Sequence, residues 1–220
     1  CRKTLETLAK LQGKKIDKIS EEDPGKIIHE TDWKLKWHPK IKGFPFPNYY
    51  SVDSTPLFVI VFSLCFQKTK DQAFLRKYWK HILASLSWME NYGDFDRDLF
   101  LEYQRKNPHG LFHQGWKDST KNIFQITPPI ALIEAQGYQY RALKEGAKLA
   151  TIFEEKILAK KLLQRAKTLK KAFNKKFWMS REGYFAFALD GAKKQKSTIT
   201  SNPGHLLFTG IIEKDKEKKV

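Results

Sequence analysis

GLFHQGWKDSTKNIFQITPPIALIEAQGYQY, residues 110–140, joins a loop rich in aromatic and charged side chains to a long amphipathic segment. Trp116, Lys117 and Asp118 are consecutive in the loop, and Pro128 and Pro129 stand where we expect a helix to begin. An aromatic ring stacks on a pyranose face, and a neighbouring carboxylic acid can protonate a glycosidic oxygen. The stretch therefore suits a sugar-binding cleft beside a helix.

The composition is typical of a globular protein. The chain has 220 residues, of which 41% are hydrophobic and 14% aromatic, so we predict a single domain over residues 1–220. The longest apolar run, Leu57 to Phe66, covers about half a bilayer, which indicates a buried helix and no membrane partner. Cys1 and Cys65 offer neither a disulfide framework nor a metal spacing, and we expect a reducing, cytoplasmic location.

The formal charge of +17 raises the question of a nucleic-acid partner. The chain carries 34 Lys and seven Arg, and they are spread over its whole length. Nucleic-acid-binding proteins gather basic residues on one face and rely on Arg for phosphate and base contacts. We therefore expect no nucleic-acid partner, and a basic helical nucleic-acid-binding protein stays the less favoured alternative.

Apolar periodicity and the positions of Gly and Pro predict a mainly helical chain. The predicted helices cover residues 4–12, 54–66, 71–91, 128–153, 155–177 and 202–214. Ser54 or Thr55 is expected to cap the second of these helices. Residues 99–103 alternate like a short strand, and 177–189 read as a hairpin. The irregular stretch 13–50 is rich in aromatic residues (Trp33, Trp37, Tyr49, Tyr50), and we predict that it covers a cleft.

Five motifs occur in order between about residues 24 and 212. They are PGKIIHE (24–30), SVDSTPLF (51–58), QGWKDS (114–119), PIALIEAQGY (129–138) and SNPGHLL (201–207). Together they resemble the bacterial amylo-α-1,6-glucosidase, or glycogen-debranching, family. The resemblance implies an all-α, six-hairpin (α/α)6 toroid with small β-hairpin insertions and inverting hydrolysis of α-linked glucosyl units. It also implies that Asp118 is the general acid and that Asp53 binds hydroxyls of an α-glucan or oligosaccharide substrate.

The resemblance leaves the second catalytic carboxylate unassigned. Related toroids keep the general base in a later helix, so we expect the chain to be a fragment of a longer (α/α)6 domain. An inverting enzyme needs two carboxyl groups separated by about 6.5–9.5 Å to hold a water. A carbohydrate-binding remnant without turnover is therefore an alternative to an active hydrolase.

The candidate residues have structural alternatives. Asp118 can be the N-cap of a short turn, Asp53 can cap the helix that follows it, and Trp116 can belong to the core. Glu134 is predicted on a buried helix, where an unpaired charge is costly, so a salt bridge or a cleft position is expected. The predicted substrate-binding residues are Asp53, Trp116, Lys117, Gln114, Glu102, Glu134 and Tyr50.

No cofactor or metal ion is expected. Asp94, Asp96 and Asp98 have the one-three-five spacing of a calcium loop. However, Leu99 occupies the sixth position, where an EF-hand has Gly, and Arg105 occupies the twelfth, where it has Glu. The pattern therefore predicts an acidic turn near the cleft. The sequence also lacks a Gly-rich phosphate loop.

Overall fold

The computed structural model describes residues 1–31 and 43–220, and it is largely helical. Its α-helices are α1 (Arg2–Lys10), α2 (Ser54–Thr69), α3 (Gln72–Asn91), α4 (Ile133–Ile152), α5 (Lys156–Lys176) and α6 (Lys214–Glu217). A 3-10 helix covers Asn202–Leu206. The strands are β1 (Ala131–Leu132), β2 (Trp178–Met179), β3 (Tyr184–Phe185), β4 (Ala188–Leu189) and β5 (Gln195–Lys196). The predicted all-α class with small β insertions is confirmed.

Helix α4 is the central element of the core. It packs against α2 on one side and α5 on the other, and α3 contacts both α2 and α4. Small residues such as Ala135, Ala142 and Ala147 are buried along α4 and let the neighbouring helices approach closely. The start of α4 is therefore held firmly by the core, which matters because the candidate site lies there.

The predicted start of α4 at Pro128 is wrong, because the helix begins at Ile133. The two preceding residues form β1, which pairs antiparallel with β4 so that Ala131 faces Leu189, and β4 pairs antiparallel with β5. The Ile133 N–H then donates to the carbonyl of Phe187 at 3.1 Å. These bonds to distant residues satisfy backbone groups that a helical turn would otherwise use.

Other local predictions have mixed outcomes. Helices α3 and α5 lie where predicted, and β2 and β3 form the expected hairpin. The predicted strand over 99–103 is wrong, since in the described part of the chain it contributes a single bridge between Tyr103 and Ile130. The helix predicted over 202–214 is also wrong, because a short 3-10 helix and turns replace it.

Helix α2 begins at Ser54 as predicted, but neither hydroxyl caps it. The Ser54 hydroxyl donates to the carbonyl of Ile27 at 3.1 Å, and the Thr55 hydroxyl accepts from the Ile27 N–H at 2.9 Å. Both side chains therefore tie the segment before the cleft to the start of α2. Asp53 is the N-cap by position, and its side chain makes no capping bond.

The closed (α/α)6 toroid stays a prediction, because the described residues do not establish a ring of helices. In residues 1–31 and 43–220, no helix is both long and apolar enough to cross a bilayer. The predicted cleft aromatics Trp33 and Trp37 lie outside the described residues.

Candidate active site

Three segments meet at the first turns of α4. The loop that carries Trp116 is held there by a bond from the Trp116 N–H to Oε1 of Glu134, at 3.3 Å. The turn before α2 is joined to the same loop by the Val52 N–H, which donates to the carbonyl of Gln114 at 2.9 Å. The 3-10 helix closes the other side, where the hydroxyl of Tyr138 and Nδ1 of His205 lie 2.7 Å apart. We call the side chains gathered there the site cluster: His29, Asp53, Trp116, Lys117, Asp118, Glu134, Tyr138, Asn202 and His205.

Glu134 lies in the first turn of α4 and is fully buried. Burial raises its pKa to about 7, and the neighbouring carboxylate of Asp53 acts in the same direction. The Asn202 side chain and the Trp116 N–H stabilise the charged form but do not offset the burial. Glu134 therefore holds a proton up to about neutral pH. Its carboxyl group also fixes the position of the Trp116 loop through the bond from the Trp116 N–H.

Asp53 supplies a second carboxylate to the site cluster. Its Oδ1 accepts a hydrogen bond from the Ser51 hydroxyl at 2.5 Å. Loss of hydration raises its pKa, while the Ser51 bond and the nearby His29 ring lower it. Because Asp53 makes no helix-capping bond, the plain capping alternative is not supported, and its role in sugar binding stays a prediction.

Asp118 lies near the end of a tight loop closed by an antiparallel bridge between His113 and Ser119. Its side chain is 56% exposed, and one carboxylate oxygen lies 3.8 Å from Nε2 of His29. In the turn that follows, the Ser119 hydroxyl accepts the hydrogen bond of a backbone N–H, that of Lys121 at 3.1 Å, so the alternative of Asp118 as the cap of this turn is not supported. The Asp118 carboxylate is therefore accessible from solvent, and its role as the acid stays a prediction.

Trp116 presents its indole ring to solvent. The residue is 61% exposed, and its ring lies 4.7 Å from the imidazole of His205, at an interplanar angle of 55°. The next residue, Lys117, donates from Nζ to the hydroxyl of Ser201 at 3.2 Å. The core alternative for Trp116 is therefore contradicted, and the arrangement leaves an aromatic surface open beside the acidic group of Asp118.

Three predicted substrate-binding side chains have internal partners instead. The Tyr50 hydroxyl donates to the carbonyl of Ile19 at 2.5 Å and lies within the core. Gln114 is buried and donates to Glu21 at 2.7 Å. Glu102 is buried and forms an ion pair with Lys193. These bonds disfavour a direct substrate contact for Tyr50, Gln114 and Glu102.

The sequence interpretation missed two histidines of the site cluster. The separation of His29 and His205 in the sequence does not indicate a site, since only the folded chain places both residues in the site cluster. A signal was nevertheless present, since each lies inside one of the five recurring motifs. Within the described residues, the site cluster does not contain three ligand atoms close enough for a metal ion.

Comparison with known proteins identifies a similar domain. Residues 36–220 match the model of the bacterial alpha-L-rhamnosidase 6 hairpin glycosidase domain. None of the curated proteins matches the chain. Among solved structures, a rhamnosidase from Klebsiella oxytoca with rhamnose bound is similar, with 18% sequence identity and a TM-score of 0.50. The alignment covers 77% of this chain and 29% of that rhamnosidase, and at this identity it supports the fold alone.

Proposed function

Because this chain belongs to the family of bacterial α-L-rhamnosidase six-hairpin glycosidase domains, we propose that it acts as a glycoside hydrolase on a carbohydrate substrate. The observation that supports this function best is the site cluster. It combines an exposed indole ring, the accessible carboxylate of Asp118, and the buried or partly buried carboxylates of Glu134 and Asp53. Such a combination suits a sugar that stacks on Trp116 and presents its glycosidic oxygen to an acid.

In the proposed mechanism Asp118 donates a proton to the glycosidic oxygen as the bond to the leaving group breaks. A sugar stacked on Trp116 would cover the Asp118 carboxylate and exclude water from the reacting atoms. Asp53 would accept hydrogen bonds from sugar hydroxyls, and Lys117 would contact sugar oxygens. An inverting reaction also needs a second carboxylate, which acts as the base that activates the attacking water.

Two substrate classes have specific support. The motifs QGWKDS (114–119) and PIALIEAQGY (129–138) favour α-linked glucosyl units, as in glycogen debranching. The matched family model favours an α-L-rhamnoside. We propose the α-glucoside as the substrate and the α-L-rhamnoside as the second candidate, because the motifs include the residues of the site cluster itself.

The direct test compares hydrolysis of short α-1,6-branched glucans and of α-L-rhamnosides by the chain and by Asp118→Asn. Asp215→Asn, at an exposed carboxylate on α6, is the matched control. We expect Asp118→Asn to lose at least about a hundredfold in rate, since general acid catalysis contributes at least that much. Sugar binding, followed by tryptophan fluorescence, should persist in both variants.

Other outcomes would identify the alternatives. Sugar binding without hydrolysis would favour a carbohydrate-binding protein that lacks turnover. Hydrolysis that survives Asp118→Asn would exclude Asp118 as the acid. If neither binding nor hydrolysis is seen, while DNA or RNA binds with a steep salt dependence, the nucleic-acid alternative would replace the proposal.

A further inference from the structure

His205, in the motif SNPGHLL (201–207), lies beside the indole ring on which a sugar is proposed to stack. The centroid of its imidazole is 4.7 Å from that of the Trp116 ring, and the two rings are tilted by 55°. The Lys117 ammonium donates to the Ser201 hydroxyl at 3.2 Å, which joins the loop to the start of the same 3-10 helix. A sugar on the indole ring would therefore lie next to the imidazole.

Helix α4 holds one ring nitrogen of His205 through Tyr138. This tyrosine is 4% exposed, and its hydroxyl oxygen lies 2.7 Å from Nδ1 of His205. Burial raises the pKa of the Tyr138 hydroxyl, and the carboxylates of Glu134 and Asp53 act in the same direction. The hydroxyl therefore keeps its proton throughout the neutral range of pH.

The hydroxyl proton of Tyr138 determines the tautomer of His205. In the described part of the chain, Nδ1 of His205 is the sole hydrogen-bond partner of this hydroxyl. A buried O–H group without an acceptor is costly, so the hydroxyl donates and Nδ1 accepts. A neutral imidazole carries one proton on its two nitrogens, and that proton then belongs to Nε2. The bond to Tyr138 thus makes Nε2 of His205 a hydrogen-bond donor.

The Nε2–H group of His205 is available to a ligand. Burial lowers the pKa of this ring below its ordinary value of 6.5; Asp53 opposes the shift without reversing it, and Lys117 adds to it. The ring is therefore neutral above that pH. The residue is partly exposed, and among residues 1–31 and 43–220 no side chain or backbone group bonds to its Nε2.

We propose that His205 is a sugar-binding residue, which donates a hydrogen bond from Nε2 to a hydroxyl oxygen of the sugar stacked on Trp116, and that Tyr138 positions it. This inference rests on the proposed function, because it requires that the site cluster holds a sugar. A site built to bond a hydroxyl rejects an analogue that lacks it, since the N–H group is then left unpaired. His205 therefore contributes to specificity as well as to affinity.

Calorimetry with isomaltose and with methyl α-L-rhamnoside tests this role in an Asp118→Asn background, which removes the proposed acid. We expect His205→Phe, which keeps an aromatic ring, to weaken binding of the sugar about tenfold. His109→Phe, at an exposed histidine outside the site cluster, should leave binding unchanged. Tyr138→Phe keeps its ring but no longer fixes the tautomer, so it should weaken binding by less than His205→Phe does.

Monodeoxy analogues of the sugar that binds identify the hydroxyl. With His205 intact, one analogue should bind about tenfold more weakly than the complete sugar. The same analogue should bind His205→Phe as tightly as the complete sugar does, because the bond is already lost. If every missing hydroxyl costs the same with and without His205, the proposal is overturned.

Nitrogen NMR of the chain with ¹⁵N-labelled histidine tests the tautomer without any sugar and without a substitution at His205. At about pH 8, where a neutral ring is expected, Nε2 of His205 should carry the proton and Nδ1 should not. In Tyr138→Phe this preference should weaken. A parent chain with the proton on Nδ1 of His205 overturns the proposal.

The outcomes separate this role from the proposed function. If neither sugar binds the chain with His205 intact, the proposed function fails, and the role of His205 fails with it. If a sugar binds, but His205→Phe binds it as tightly as His109→Phe does, the role of His205 alone is overturned.

Discussion

Glu134 illustrates how a single side chain can serve the site without touching solvent. Its carboxyl group is fully buried, and its bond to the Trp116 N–H couples its protonation to the position of the indole loop. A buried carboxyl group that stays protonated up to about neutral pH can still form hydrogen bonds, and it places no unpaired charge in the core.

The raised pKa of Glu134 predicts a pH dependence of stability. The folded pKa of about 7 exceeds the ordinary value of 4.5, so this group stabilises the fold most below about pH 4.5. That contribution is lost as the pH rises through about 7, and the loss amounts to at most about 3 kcal/mol. Glu134→Gln lacks the titrating group.

Urea unfolding at about pH 5 and about pH 8 measures this effect. Between the two values the parent chain should lose stability relative to Glu134→Gln. Identical changes in the two proteins would contradict the raised pKa. The comparison between the two proteins cancels the titration of the other groups.

Substitution of Trp116 gives a second prediction for a single side chain. Trp116→Ala should weaken sugar binding about tenfold or more, because it removes the exposed ring on which the sugar is proposed to stack. The free energy of unfolding should change by less than about 0.5 kcal/mol, since the ring is mostly exposed. Calorimetry with the sugar and urea unfolding measure the two effects, and Trp178→Ala is the control. Unchanged sugar affinity would exclude the stacking role.

Among the elements, the contact between α4 and the 3-10 helix decides the shape of the site. Gly137 faces Leu206 and Thr209, and a Cβ atom built on Gly137 would lie 2.6 Å from Cδ2 of Leu206. The absence of a side chain lets the segment with Asn202 and His205 lie against α4. A glycine inside a helix costs stability, so a packing reason of this kind explains its presence.

Gly137→Ala tests this close approach. Overpacking should destabilise the chain by about 1–3 kcal/mol even though alanine favours a helix. Gly204→Ala is the matched control, because a Cβ atom there meets no atom within 4 Å. Gly204→Ala should be neutral or slightly stabilising in urea unfolding. If both variants behave alike, the proposed close packing is not the reason for Gly137.

Across the whole molecule, a buried polar network joins the N-terminal segment to the loop before the site. Glu21 is 1% exposed and accepts hydrogen bonds from the Lys106 N–H and from the Gln114 side chain, both at 2.7 Å. Lys26 lies nearby, and burial lowers its pKa to about 8, although Glu21 acts to raise it. The network links residues separated by more than 80 positions.

Glu21→Gln should therefore destabilise the whole chain. The substitution removes one of the two carboxylates, Glu21 and Asp23, that compensate the charge of the buried Lys26, and breaking a buried charged network costs up to about 3–5 kcal/mol. The exposed Glu217→Gln should change stability by less than about 0.5 kcal/mol. Urea unfolding measures both variants. A loss for Glu21→Gln no larger than that of the control would show that the network adds little to the fold.

Most of the helices, and the set of motifs that carry the chemistry, follow from local patterns in the sequence. Helical hydrogen bonds join residues four positions apart, so apolar periodicity was sufficient for α3 and α5. The sequence motifs also indicated Asp118, Trp116 and Asp53 as candidate site residues, because each of them lies in one of the five motifs. The narrower substrate assignment within the six-hairpin glycosidases remains a proposal.

The first residue of α4 and the groups around Asp118 and Glu134 depend on contacts between distant parts of the folded chain. The pairing of β1 with β4, the approach of His29 and the ion pairs of Lys193 all join residues far apart in the chain. Local periodicity carries no record of such partners. Their bonds satisfy buried backbone groups and charges that the local sequence leaves unpaired, and that requirement overrides the local preference for helix.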